Sequence, residues 1–129
     1  MKYKLRKIII DDLEYLYSVV DKFHPASQTN TLTIKIYLSG QKQTPLVIEF
    51  LTIDDPIMGQ PFKAGIKLMN RITNRISIVN LNEPKYIREL ILLGRKKGWT
   101  GNDKAEKQNG LDYLNEMGYE TGLLKPSAI

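Results

Sequence analysis

The sequence contains no cysteine and a single histidine among its 129 residues. Without cysteine the chain cannot form a disulfide bond, a thiolate zinc site or a cysteine nucleophile. Zinc takes three or four protein ligands, so carboxylates would have to supply almost all of them. The histidine, His24, precedes a proline in a polar stretch, which predicts an exposed loop. We therefore expect no metal and no other cofactor, and the lack of cysteine fits a cytoplasmic protein.

Recognisable catalytic motifs are also missing. The sequence has no P-loop, no dinucleotide-binding glycine fingerprint and no nucleophile elbow. Its serines stand in no context that is typical of a nucleophile. These absences predict that the protein is not an enzyme.

Long apolar runs are absent as well. No stretch approaches the roughly 20 apolar residues that a membrane-spanning helix needs. The basic start of the chain is followed by a short apolar run, Ile8 to Ile10, which Asp11 ends. A secretory signal needs an apolar core of about 7–15 residues. We therefore predict neither a signal peptide nor a membrane partner.

The clearest predicted strands occupy residues 31–38 and 45–53. The first alternates apolar and polar side chains, which is typical of a strand with one buried face. The second is apolar on both faces, apart from Glu49. A strand of this kind is expected to lie centrally in a sheet or to be covered on both sides. With Gly40 in the turn between them, the two segments predict a β-hairpin.

Residues 13–20 fit two templates. Their alternating pattern indicates a strand, but an apolar stripe at helical spacing is present too. The tyrosines and the Ser-Val-Val run favour the strand. A strand is also predicted over residues 4–10, so Asp11 and Asp12 would form a tight turn without the usual glycine. Helix remains the alternative for 13–20.

Two more strands and two helices are predicted further along the chain. The strands cover residues 63–69 and 75–81, with Ile76 and Ile78 on one face of the second. The first helix covers residues 84–97, where Pro84 suits the start and Gly98 the end. Trp99 is then expected to fold back onto the helix and be buried, and Gly94 indicates a close approach by another element.

The second helix is predicted over residues 104–117. Asn102 or Asp103 would cap it, with Glu106 completing a capping box. The glycine that closes this helix, Gly118, precedes a tyrosine, much as Gly98 precedes a tryptophan. We interpret this as one stop signal used twice.

Strands followed by helices predict an α+β fold. The expected architecture is an antiparallel sheet of four to six strands followed by two C-terminal helices packed on it. A chain of this length forms one domain, residues 1–129, with the sheet at about 3–81 and a loose tail at 121–129.

Several short stretches resemble a group of small uncharacterised bacterial proteins. They are Tyr15-Leu-Tyr-Ser-Val, Pro45-Leu-Val-Ile-Glu-Phe, Asn80-Leu-Asn-Glu-Pro and Gly98-Trp99. The resemblance covers roughly residues 3–99. It implies a bacterial cytosolic domain and a strand at 13–20, and it implies no activity.

The net charge of +5 supplies the one positive functional signal. Five basic residues stand out. Arg71 and Arg75 flank the turn between the predicted strands 63–69 and 75–81, and Arg95, Lys96 and Lys97 end the first helix. If they converge on one surface beside an exposed aromatic side chain, they would suit a nucleic-acid-binding domain. If they scatter and an apolar patch is exposed instead, the pattern favours protein binding.

Our leading hypothesis is a small non-enzymatic bacterial protein-interaction module of the regulatory or toxin-neutralising type. It would bind an unidentified protein partner or form a homo-oligomer. The alternative is the nucleic-acid-binding domain with a basic surface.

Overall fold

The computed structural model describes residues 5–54, 57 and 59–126, and the predictions made for residues 3–4 and 127–129 lie outside this range. The fold is α+β. The elements are β1 (Arg6–Ile10), β2 (Leu13–His24), β3 (Thr29–Leu38), β4 (Gln41–Ile53), α1 (Pro61–Ala64), β5 (Ile66–Asn70), β6 (Arg75–Val79), α2 (Pro84–Lys96), β7 (Gln108–Asn109) and α3 (Gly110–Glu116). A 3-10 turn at Gly122–Leu124 follows α3.

The main sheet has five strands in the order β1-β2-β3-β4-β7. The first four are antiparallel, whereas β7 is parallel to β4, so the sheet is mixed and the purely antiparallel prediction is wrong. Strand β7 comes from a segment that was predicted to be helical. Strands β5 and β6 form a separate two-stranded hairpin rather than extending the main sheet.

The strand prediction for residues 13–20 is confirmed, and β2 is longer than expected. Asp11 and Asp12 form the turn before it with φ angles of 52° and 65°. Positive φ at both turn positions is the pattern of a type I′ hairpin, which matches the twist of the strands. At its other end β2 pairs with β3 as far as His24 and Thr29. His24 is therefore a half-buried strand residue and not an exposed loop residue as predicted.

The two long helices end by the same mechanism. In α2 the Trp99 amide donates to the Gly94 carbonyl at 2.9 Å, and Gly98 has a φ of 110°. In α3 the Tyr119 amide donates to the Leu114 carbonyl at 2.9 Å, and the preceding glycine also has positive φ. Both ends are Schellman motifs, in which glycine adopts the left-handed conformation. The predicted reuse of one stop signal is confirmed.

Helix α3 starts later than predicted. The Asn109 side chain accepts from the amides of Leu111 and Asp112, so Asn109 is the cap in place of Asn102 or Asp103. The Thr100 hydroxyl instead binds the Asn102 amide and the Asp103 carboxylate in a local turn. Such side-chain bonds give the backbone an alternative to a helix, and residues 104–107 have no regular structure.

Two boundaries also differ from the predictions. Residues 61–64, at the expected start of the strand at 63–69, form α1, because Gln60 caps it and a proline occupies its first turn. The tail is held to the core further than expected, since Thr121 and Leu124 are 1% and 2% exposed.

The core lies on one face of the main sheet. The buried sheet side chains are Ile10, Tyr15, Tyr17, Leu32, Ile34, Ile36, Leu46, Ile48 and Phe50. Helix α2 meets this face where Gly94 lies against Leu46, and α3 meets it where Gly110 lies against Phe50. The rings of Phe62 and Phe50 are 5.4 Å apart between centroids, so α1 contacts the same face.

Candidate interaction surfaces

The opposite face of the main sheet is the first candidate surface. The strand register places seventeen side chains of β1–β4 on it: Lys7, Ile9, Glu14, Leu16, Ser18, Val20, Lys22, His24, Thr29, Thr31, Thr33, Lys35, Tyr37, Val47, Glu49, Leu51 and Ile53. We call this set the open face. The contacts of α1, α2 and α3 with the sheet listed above are all on the other side.

The open face carries exposed apolar side chains among its polar ones. Ile9, Leu51 and Ile53 are 62%, 46% and 40% exposed. An antiparallel sheet with one wet face normally alternates apolar and polar side chains along each strand. Strand β4 departs from this rule, as its sequence indicated, because Val47, Leu51 and Ile53 lie on the wet side with Glu49 as the one polar residue among them. The strand was predicted to lie centrally in a sheet or to be covered on both sides. It lies between β3 and β7, and the helices of the described part of the chain contact one of its sides.

Charges of both signs lie among these apolar side chains. Lys7 pairs with Glu14 at 3.0 Å, and Lys107 pairs with Glu49 at 3.3 Å. Lys35 is exposed, and its ammonium lies 5.7 Å from the centre of the Tyr37 ring. Lys35 is opposite Val47 and Thr33 is opposite Glu49 in the β3–β4 register, so a cation and an anion occupy adjacent rows of the face.

The hairpin of β5 and β6 carries a second, smaller apolar surface. Met69, Ile76 and Ile78 are 37%, 65% and 59% exposed, and we call these three residues the hairpin patch. Ile76 and Ile78 share a face, as the sequence predicted, but that face points to solvent. The inner face of the hairpin is formed by Leu68 and Val79, which are 6% and 0% exposed.

The five predicted basic residues lie on the β5–β6 hairpin and at the C-terminal end of α2, and three of them have partners within the chain. Arg95 pairs with Asp11 at 3.3 Å and so joins α2 to the β1–β2 turn. Lys97 pairs with Glu116 at 2.8 Å. These two cations therefore have structural partners on separate elements.

Of the remaining three basic residues, one has a hydrogen-bond partner on α3 and two are exposed. Arg71 donates to the backbone carbonyl of Asn115 at 3.1 Å, at the C-terminal end of α3. A cation there also interacts favourably with the helix dipole. Arg75 and Lys96 are exposed, on β6 and α2 respectively. Sequence reasoning could not separate cations that stabilise the fold from cations available to a ligand.

Three aromatic side chains could stack on bases if they were exposed: Tyr37, Tyr86 and Trp99. They are mostly inside the protein. Tyr86 and Trp99 are 1% and 6% exposed, and Tyr37 is half-buried. The Tyr86 hydroxyl donates to the Ile78 carbonyl, and the Trp99 indole donates to the Thr44 carbonyl at 3.2 Å. Packing and hydrogen bonding account for the two buried rings.

Burial raises the pKa of several groups in α2, in α3 and just after α3. It raises the pKa of Tyr113 to about 12, with the Glu116 charge adding to the effect. Burial also raises the pKa of Tyr86 and of Tyr119. These phenols stay protonated at neutral pH, so they act as packing groups and hydrogen-bond donors. On α2, burial raises the pKa of Glu89, although the nearby Lys85 charge opposes this.

No metal-binding group of three or more histidine and carboxylate side chains occurs within residues 5–54, 57 and 59–126. In that same part of the chain, no helix combines the length and apolar character needed to cross a bilayer. Comparison of the chain with protein-family models, with curated proteins and with solved structures finds no match. A functional proposal therefore rests on the open face and the hairpin patch.

Proposed function

We propose that the protein is a non-enzymatic interaction module that binds another protein chain through the open face. The observation that carries this proposal is the exposure of Leu51 and Ile53 on β4, a strand that is apolar on both sides. Leu51 and Ile53 are neighbours on this face of β4, and neighbouring exposed apolar side chains are a feature of protein–protein interaction sites. A regulatory or toxin-neutralising partner protein in a bacterial cytoplasm is the role we propose for it.

The proposal includes an assignment of the two layers. We propose that α2 and α3 together form the layer that covers one face of the sheet. The contacts of Gly94 with Leu46 and of Gly110 with Phe50 support this assignment. Under this arrangement the chain supplies one cover for its sheet, and the binding partner supplies the other.

The test compares two matched double variants with the wild-type protein. One carries Leu51→Glu and Ile53→Glu on the open face, and the other carries Ile76→Glu and Ile78→Glu on the hairpin patch. Each places two acidic groups at exposed isoleucine or leucine positions of a strand. Each protein is immobilised and used to capture partners from the cytosol of the native host, after circular dichroism has verified its fold.

We expect a protein captured by the wild type and by the hairpin variant but not by the open-face variant. Loss in the hairpin variant alone would move the binding site to the hairpin patch and contradict the proposal. Salt-sensitive retention of nucleic acid, abolished by Lys96→Glu with Lys97→Glu, would replace it with the nucleic-acid hypothesis. The absence of any open-face-dependent capture, together with a monomeric protein, would also overturn it.

A further inference from the structure

On the basis of this proposed function, we infer that the partner on the open face is a second copy of the same chain. The two copies would pack sheet against sheet about a two-fold axis, so that the same surface is used twice. Three properties of the face carry the inference: its area, its shape and its pattern of charge.

The area is sufficient for a stable dimer. Ten residue pairs join β2 to β3, which gives a length of about 33 Å at 3.3 Å per residue. Four strands about 4.8 Å apart add a width of about 14 Å, and since β1 pairs with β2 over only five residues, the flat projection is about 400 Å² per copy. The accessible surface of side chains exceeds a flat projection. Two copies therefore reach the total of roughly 1,000 Å² that a specific interface requires.

The shape suits packing against another sheet. Short β-branched side chains such as Val20, Thr33 and Val47 occupy the middle of the open face. Sheets that pack face to face lie about 10 Å apart, with interdigitated side chains between them. Small side chains such as Val20 and Val47 allow that spacing, whereas the longer Lys35 and Glu49 share the same rows. The larger Leu51 and Ile53 lie toward one end of β4.

The charges are self-complementary. Lys35 and Glu49 lie in adjacent rows of the face on neighbouring strands. Burial of either charge without a partner would be costly. In a two-fold pair, Lys35 of each copy can reach Glu49 of the other, so the contact forms twice. Among the described residues Glu49 pairs with Lys107 at 3.3 Å, and because the two side chains are 35% and 59% exposed, this ion pair can rearrange.

A charge swap provides the sharpest test. Sedimentation velocity measures the oligomeric state of each protein from about 1 to 200 µM, the range in which such interfaces associate. We expect the wild type to dimerise. Lys35→Glu alone and Glu49→Lys alone should each weaken the dimer by about 100-fold, because like charges then face each other. The double swap should restore most of the affinity.

Two controls isolate the surface. Lys67→Glu reverses an exposed strand charge on the hairpin and should leave the dimer unchanged. In the wild type, amide NMR shifts that change on dilution should map to β2, β3 and β4 and not to the hairpin patch. This measurement needs no variant, so it remains informative if a substitution impairs folding.

A wild type that stays monomeric over the whole concentration range overturns the inference. The inference also fails if neither Lys35→Glu nor Glu49→Lys weakens the dimer. It fails too if the double variant Ile76→Glu with Ile78→Glu is monomeric. A monomer whose open face still captures a different protein overturns self-association and leaves the proposed function standing. A monomer without such capture overturns both.

Discussion

Gly94 of α2 lies directly against Leu46 of β4: a Cβ atom added to Gly94 would stand 2.5 Å from Leu46 Cδ2. The glycine thus sets how closely α2 approaches the sheet. Gly94→Ala should favour the helix by up to about 1 kcal/mol, but the clash should cost about 1–3 kcal/mol. We expect net destabilisation by about 1 kcal/mol in urea unfolding. A more stable Gly94→Ala variant would show that Leu46 moves aside freely.

Gly110 faces a stiffer neighbour. A Cβ atom at this first position of α3 would overlap the ring of Phe50, which is fully buried. A ring held on all sides cannot turn away as the end of a leucine side chain can. Gly110→Ala should therefore cost about 2–3 kcal/mol, more than Gly94→Ala. Equal free energies of unfolding for the two variants would contradict this ranking.

Trp99 links α2 to the sheet. Its ring centroid lies 5.9 Å from that of Tyr15, and its indole N–H donates to the Thr44 carbonyl. Trp99→Ala should cost about 3–5 kcal/mol. Trp99→Phe keeps most of the packing and should cost less. Trp99 is the single tryptophan of the sequence, so its fluorescence should be blue-shifted in the folded state, and solvent-exposed emission would contradict its burial.

The β1–β2 turn offers a stabilising substitution. Asp11 and Asp12 both have positive φ, which costs energy for residues other than glycine. Asp12→Gly should raise the free energy of unfolding by about 0.5–1 kcal/mol, because type I′ turns favour Asp-Gly. Asp11→Gly relieves similar strain but removes the ion pair with Arg95, so its gain should be smaller. Thermal unfolding of both variants measures the difference.

Tyr113 should make the protein sensitive to alkali. Its pKa is about 12 in the folded state because of burial, whereas an unfolded tyrosine ionises near pH 10. The folded state therefore holds this proton more tightly, and stability falls as pH rises from about 10 to 12. Tyr113→Phe should remove part of that fall in urea titrations. Parallel losses in wild type and variant would exclude Tyr113 as a source.

The local elements of the fold were largely predictable from short-range patterns. Alternation identified β3, composition favoured a strand for β2, and an apolar run marked β4. Pro84 and Gly98 bracketed α2 to within a residue or two. The start of α3 was not predictable, because several residues between 102 and 109 can cap a helix. Competing turn bonds at Thr100 and the cap at Asn109 settled that boundary.

The candidate surfaces were predictable only in part. The apolar character of both faces of β4 was visible in the sequence, and it marked the strand as one that lies centrally in a sheet or is covered on both sides. The roles of Arg71, Arg95 and Lys97 were not visible, since their partners lie 44, 84 and 19 positions away along the chain. A basic residue has the same appearance in a sequence whether it binds a distant carboxylate or faces solvent.

The sequence by itself determined β2, β3, β4 and α2, because backbone preference, alternation and capping act over a few residues. Tertiary structure alone decided that β5 and β6 leave the main sheet, that β7 joins β4 in parallel, and that Ile76 and Ile78 face solvent. It also decided which side of β4 the helices contact. These outcomes depend on contacts between residues far apart in the chain, and a local pattern specifies the faces of a strand without specifying what covers them.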